Sequence, residues 1–150
     1  GVENGKTKLI TNSLTGKVEK VNGELLRLLI NAGYVAVLCP PAISSENEIL
    51  NIDNDFASAI LAGELGIEKI VMLFEAPGML EDAKDENTLI KNIKKEELGE
   101  YLQFAKGRMK KKILGAAKSF ALGVRQIYLG DGRVRNPIVN LLECNGTIIE

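Results

Sequence analysis

Two apolar hexads, YVAVLC at 34–39 and KIVMLF at 69–74, restrict this chain more than any other feature. Neither alternates with polar residues, so each reads as a strand buried on both faces, as in parallel sheets. Parallel strands need a crossover between them. Residues 56–65 are almost all apolar or small and are followed by Gly66, which predicts a buried helix in that connection. Ahead of the first hexad, Asn22 offers an N-cap, Leu25, Leu26, Leu29 and Ile30 recur at helical spacing, and Gly33 fits the position beyond the helix end. The rhythm of strand, helix, strand predicts a three-layer α/β/α sandwich with a mainly parallel sheet.

The remaining segments fit around that frame. Residues 8–22 alternate across Thr15-Gly16 and predict a hairpin, and residues 44–55 a second, shorter one. EAPGML (75–80) is a loop running out of the second hexad, and the polar stretch 81–88 a mobile surface loop. TLIKNI (88–93) predicts a short strand, and residues 94–105 a short helix with Leu98 and Leu102 on one face. After Gly107 comes a helix with an expected buried stripe of Ile113, Ala117, Phe120 and Ala121, closed by Gly123. QIYLG (126–130) is a strand, DGR a turn, Pro137 a helix start, and GTIIE (146–150) an edge strand.

Composition excludes several classes of function. With 150 residues, 45% of them hydrophobic, the chain can bury one core. A formal net charge of −1 gives no global positive field, so neither nucleic acid nor an anionic membrane is expected as a partner. No apolar run approaches the roughly 18 residues that span a bilayer, and a cytoplasmic location is expected. Cys39 and Cys144 form no Cys-x-x-Cys pair, so neither zinc nor a disulfide is expected, and both read as small buried apolar residues. The absence of histidine removes Ser-His-Asp triads and imidazole acid/base chemistry. Carboxylates, lysines and backbone amides remain, with no metal-ligating set among them.

Three loops are expected to converge beyond the carboxyl ends of the strands, where open α/β sheets bind ligands. In NIDND, an extended backbone would point Asn51, Asp53 and Asp55 the same way, and Asp55 also suits a helix N-cap. In FEAPGM, Pro77-Gly78 reorients the backbone after a strand. KGRMKKKIL carries five cations between Lys106 and Lys112, beside a helix start whose amides attract anions. Successive helical residues diverge by about 100°, so the three consecutive lysines cannot share one ligand. Lys110, Lys111 and Lys118 read as solvated, and Lys112, next to the buried Ile113, as the phosphate lysine.

Taken in order, LTGKVEKVNGELLRLLINAGYVAVLCP, LNIDNDFASAILAGELGIEKIVMLFEAPGML, KGRMKKKILGAAKSFALGV and DGRVRNPI with GTIIE resemble the C-terminal part of the amino-acid kinase family, in its acetylglutamate kinase branch. Within the branch, GRMKKK and DGRVRNP are most similar to kinases acting on 2-aminoadipate or glutamate carried by an amino-group carrier protein.

The resemblance implies the amino-acid (carbamate) kinase-like fold with its N-terminal part missing. Residues 1–50 would be a remnant of the substrate-binding half and 51–150 the ATP-binding half. It also implies ATP and Mg2+ as cofactors, an acyl phosphate product in lysine or arginine biosynthesis, and a possible homodimer. Lys112 and Asp55 would be catalytic and Asn51 would bind the amino acid. Glu75, Ala76, Pro77, Gly78, Met79, Leu80, Phe104, Ala105, Lys106, Gly107 and Met109 would hold ATP. The alternatives are an N-acetylglutamate kinase and a non-catalytic nucleotide-binding module of the same fold.

Overall fold

The computed structural model describes residues 2–3, 6–7, 14–105 and 107–150. Its elements, in chain order, are β1 (Val2–Glu3), β2 (Lys6–Thr7), α1 (Gly23–Asn31), β3 (Ala42–Ile43), β4 (Ile49–Leu50), α2 (Asn54–Leu65) and β5 (Lys69–Phe74). There follow β6 (Met79–Leu80), β7 (Leu89–Ile90), β8 (Asn92–Ile93), α3 (Leu98–Tyr101), α4 (Arg108–Ala121), β9 (Gln126–Asp131), α5 (Pro137–Leu142) and β10 (Thr147–Ile149).

The main sheet has the order β5-β9-β10-β8, with β5 parallel to β9, β10 antiparallel to β9, and β10 parallel to β8. It is therefore mainly parallel. Alternation along β9 sends Ile127 and Leu129 into the core cluster that holds Ala62 of α2 and Ile113 and Ala116 of α4. On the other face of β9, a Cβ at Gly130 would fall 2.7 Å from Leu141 of α5, so glycine lets that helix sit close. Helices thus cover both faces, in the expected three layers.

Local signals explain most helix ends. Asn22 accepts from the N–H of Leu25 at the start of α1, and Gly66 closes α2 in the left-handed region at φ 69°. Pro137 begins α5. The helix expected over 94–105 breaks into a 3-10 turn at Lys95–Glu97 and the single turn α3, with Leu98 buried. The surface loop 81–88 is exposed and tied internally, since Thr88 Oγ1 donates to the carbonyls of Asp85 and Asp82 and accepts from the N–H of Asp82.

Several expectations are corrected. Residues 34–39 form no strand, and Val35 and Val37 are each 88% exposed. Their apolar character finds no neighbour to pack on among the described residues. Val71 and Leu73, on one face of β5, are also part-exposed, so this strand is not buried on both faces as expected. Residues 8–13 lie outside the described residues, and the rest of that expected hairpin is not one. Thr15 instead bridges Asn51 in parallel, supported by Gly16 N–H to the Asn51 carbonyl at 2.9 Å. The second hairpin is present as β3 and β4, but it starts two residues before the expected 44–55 and its second strand ends at Leu50. TLIKNI splits into β7, paired with β6, and β8. GTIIE is no edge strand, since β10 lies between β9 and β8.

Helix α2 is only half-buried, with Ala59 and Ala62 as its buried side chains. The inward face of α4 consists of Ile113, Gly115, Ala116 and Ser119, while Ala117 and Ala121 are exposed. Small residues face inward because α2 runs directly against that face. Cys39 and Cys144 are free and exposed.

Candidate active site

The site begins with two helix starts. Asp53, and not Asp55, caps α2: its Oδ1 accepts from the N–H groups of Asp55 at 3.1 Å and Phe56 at 3.3 Å. The helix begins a residue before Asp55, which releases the Asp55 carboxylate from capping. That carboxylate accepts from Lys112 Nζ at 2.9 Å, and both side chains are 18% exposed. At such depth a Lys-Asp pair at contact distance interacts by roughly 4 kcal/mol before desolvation, several times the value in water. The ammonium of Lys112 also lies 5.3 Å from the centre of the Phe74 ring, within cation-π range.

Lys111 points elsewhere and pairs with Asp53 Oδ2 at 3.1 Å, so it is not merely solvated as the sequence suggests. Burial pushes the Asp53 carboxyl up, but the hydrogen bond from Lys111, its charge, and the N–H groups of Phe56 and Asp55 together hold it below the ordinary carboxylate value.

Helix α4 starts at Gly107, which takes φ 54° and ψ −119°, a conformation open to glycine and strained for other residues. No side chain among the described residues caps this start, and the first turn contains no acid. Its free amides, its dipole and Arg108 make it electropositive.

A cavity of about 290 Å³ opens beside it, lined by Phe74, Glu75, Arg108, Met109 and Lys112. Phe74 brings the carboxyl end of β5 to its wall, and beside that end Asp131 of β9 is in register with Phe74 and the N–H of Gly132 donates to the Phe74 carbonyl at 2.8 Å. Arg133 turns back on Asp131 with contacts of 2.7 to 3.2 Å and holds that carboxyl down at about 2, first through its side-chain hydrogen bonds and then through its backbone N–H. Asp131 in turn raises the Arg133 pKa, and the more distant charges of Glu86 and Glu75 add to this. A larger hollow of about 530 Å³ along α1 is lined, among the described residues, by that helix and Asn22, with no second described element at its wall.

Of the residues expected from the sequence, Lys112 and Asp55 meet, and Glu75 and Met109 reach the cavity wall. Gly107 forms the start of α4, and Phe104 is part-exposed in the turn before it. Ala105 is buried in the core. Lys106 lies outside the described residues. Asn51 is exposed at its bridge with Thr15.

The loop after β5 departs from expectation. Met79 is fully buried and its N–H donates to Thr147 Oγ1 at 2.8 Å, so that amide serves the core. Gly78 is buried where a Cβ would fall 2.5 Å from Thr147 Oγ1, and Leu80 pairs in β6. Ala76 and Pro77 are half-buried and carry the chain away from the cavity-lining Glu75. Sequence reasoning passed over Phe74 and Arg108 as wall residues, the Asp53–Lys111 pair, and Asp131 with Arg133. The DGR turn directly after a strand was the available signal for the last of these.

Residues 1–131 match the sequence pattern of the amino acid kinase family. The chain belongs to the amino acid kinase family. This family member is 45% identical to the LysW-aminoadipate kinase of Thermus thermophilus, in a match covering 99% of this chain and 56% of that protein. It is 47% identical to the LysW-aminoadipate kinase of Deinococcus radiodurans, over 99% of this chain and 51% of that one. The chain spans about half the length of these relatives. Among solved structures, the N-acetylglutamate synthase of Neisseria gonorrhoeae bound to coenzyme A and L-arginine superposes with a TM-score of 0.82 at 24% identity, over 99% of this chain and 34% of that one. At that identity the likeness is one of fold. The amino acid kinase assignment agrees with an α/β chain whose cations gather at the carboxyl end of a mainly parallel sheet.

Proposed function

We propose that this chain is the ATP-binding part of a kinase that phosphorylates the side-chain carboxylate of 2-aminoadipate or glutamate held on an amino-group carrier protein, in lysine or arginine biosynthesis. The observation that carries the reading is the Lys112 ammonium, held by Asp55 beside the cavity at the end of β5 and next to the uncapped start of α4. The two LysW-aminoadipate kinases at 45% and 47% identity support the choice of acceptor.

In the reaction a carboxylate oxygen bonds to the γ-phosphorus of ATP while the bond to the β,γ-bridging oxygen breaks, so that ADP departs and an acyl phosphate remains. Nucleophile and phosphates are both anionic, so the protein's task is to bring them together and neutralise charge. Lys112 meets the charge on the transferring group, and Asp55 sets where that ammonium sits. Arg108 and the free amides of α4 face the remaining phosphates.

Magnesium, when bound on the phosphates, would neutralise further charge; among the described residues no group of three or more acidic, His or Cys side chains could hold it. Residues 1–50 would belong to a substrate half and residues 51–150 would hold the nucleotide, with Asn51, at the border between them, contacting the amino acid. A cytoplasmic location and a homodimer fit such a biosynthetic enzyme. No helix among the described residues is long and apolar enough to cross a membrane.

The reading is tested by calorimetric titration of the chain with ATP and Mg2+, as wild type and as Lys112→Ala. Saturable binding that the substitution weakens is expected. A folded chain that binds no ATP overturns it.

A further inference from the structure

We infer that Lys111 and Asp53 are positioning residues, whose ion pair fixes the rotation of α4 so that Lys112 meets the transferring phosphoryl group. The inference rests on the nucleotide site proposed above. Lys111 and Lys112 are consecutive on a helix and so diverge by about 100°. They nevertheless engage the same neighbouring segment, Lys111 at Asp53 and Lys112 at Asp55. Core packing of Ile113 and Ala116 seats α4, and the small roll that packing and one ion pair would leave is removed by two pairs in different directions. Asp53 is suited to anchor the second, because its Oδ1 is held by two backbone N–H groups of α2 and its Oδ2 remains for Lys111. Gly115 sets the distance between the helices one turn further along, with no room for a Cβ against Asp55.

The pair is too exposed to serve mainly as a stabilising contact. Lys111 is 66% exposed and Asp53 30%, and ion pairs in that setting contribute little measurable stability. Its geometry is therefore separable from folding. Lys111→Met leaves the cap of α2 intact, and Asp53→Ser keeps a capping oxygen while deleting the charge.

The test compares dissociation constants for ATP and ADP, each with Mg2+, by calorimetry on the chain. The variants are Lys111→Met, Asp53→Ser, Lys111→Arg, and Lys110→Met, the last removing equal charge from an exposed neighbouring position. If Lys112 is misplaced, only contacts to the γ-phosphate suffer. Lys111→Met and Asp53→Ser are expected to weaken ATP about fivefold and leave ADP within about twofold, a coupling typical of neighbouring residues. Melting temperatures should stay within about 2 °C, while Lys111→Arg and Lys110→Met keep the wild-type ratio of the two constants.

Equal losses for ATP and ADP, no loss at all, or an equal effect from Lys110→Met overturns the inference and leaves the nucleotide site standing. A wild-type chain that binds neither nucleotide overturns both.

Discussion

Gly115 lies so close to Asp55 that a Cβ at 115 would fall 2.9 Å from the Asp55 Cβ and 3.2 Å from its carbonyl carbon and oxygen. Much of the obstacle is backbone, which cannot swing aside. Gly115→Ala therefore sets two effects against each other. Alanine in a helix interior gains up to about 1 kcal/mol, and overpacking costs about 1 to 3 kcal/mol. A net loss of about 1 kcal/mol is expected in urea unfolding, together with weaker ATP binding as α4 is pushed from Asp55. A more stable variant with unchanged ATP affinity would show that the contact does not set the site.

Lys112→Ala in the longer kinase is expected to lower kcat about 100-fold or more, the usual scale for removing one group that meets transition-state charge. ATP affinity should change by less than about tenfold, because most ground-state contacts remain. Steady-state kinetics beside calorimetry separates the two. A kcat unchanged by the substitution removes Lys112 from the chemistry.

The Asp131–Arg133 pair gives a prediction in acid. The Asp131 carboxyl is lowered from 3.8 to about 2, so its contribution to stability is present above pH 4 and is lost as pH falls through 2. Arg133 is 58% exposed, so solvent and salt screen the pair and the contribution is small. In Arg133→Ala the carboxyl resonance of Asp131, followed by carbon NMR, should titrate clearly higher, part of the way back to the ordinary value, because the backbone N–H of residue 133 still donates to it. A midpoint still near 2 would mean that something other than Arg133 holds it down.

Val35→Thr and Val37→Thr are expected to change the stability of this chain by no more than about 0.5 kcal/mol, as substitutions at exposed positions do. Loss of more than about 1.5 kcal/mol in either would show that 34–39 packs against the chain after all.

What could be read from the sequence depended on how local the signal was. The helix over 22–33 was legible because its cap and periodicity sit within the segment itself, and the strand at 69–74 was read from its unbroken apolar run alone. YVAVLC carried the same apolar signal and forms no strand, since pairing depends on a neighbour that the segment does not encode. That Lys112 and Asp55 lie together was legible from motif position, but the Lys111–Asp53 pair was not. Charge on a helix start predicts an exposed lysine equally well, and only the approach of α2 reveals its partner. The assignment of the cap to Asp55 in place of Asp53 was a shift of two residues, within the usual fraying of helix ends.

The bare start of α4 also bears on attempts to make the chain hardier. A carboxylate in place of Arg108 would complement the helix dipole and gain about 0.3 to 1 kcal/mol, the sort of change a thermostabilising design would choose early. It would also set a negative charge on the wall of the cavity proposed above to hold phosphates. If the proposed site is right, heat resistance and nucleotide binding pull in opposite directions at this one position, and Arg108 is the residue that favours binding.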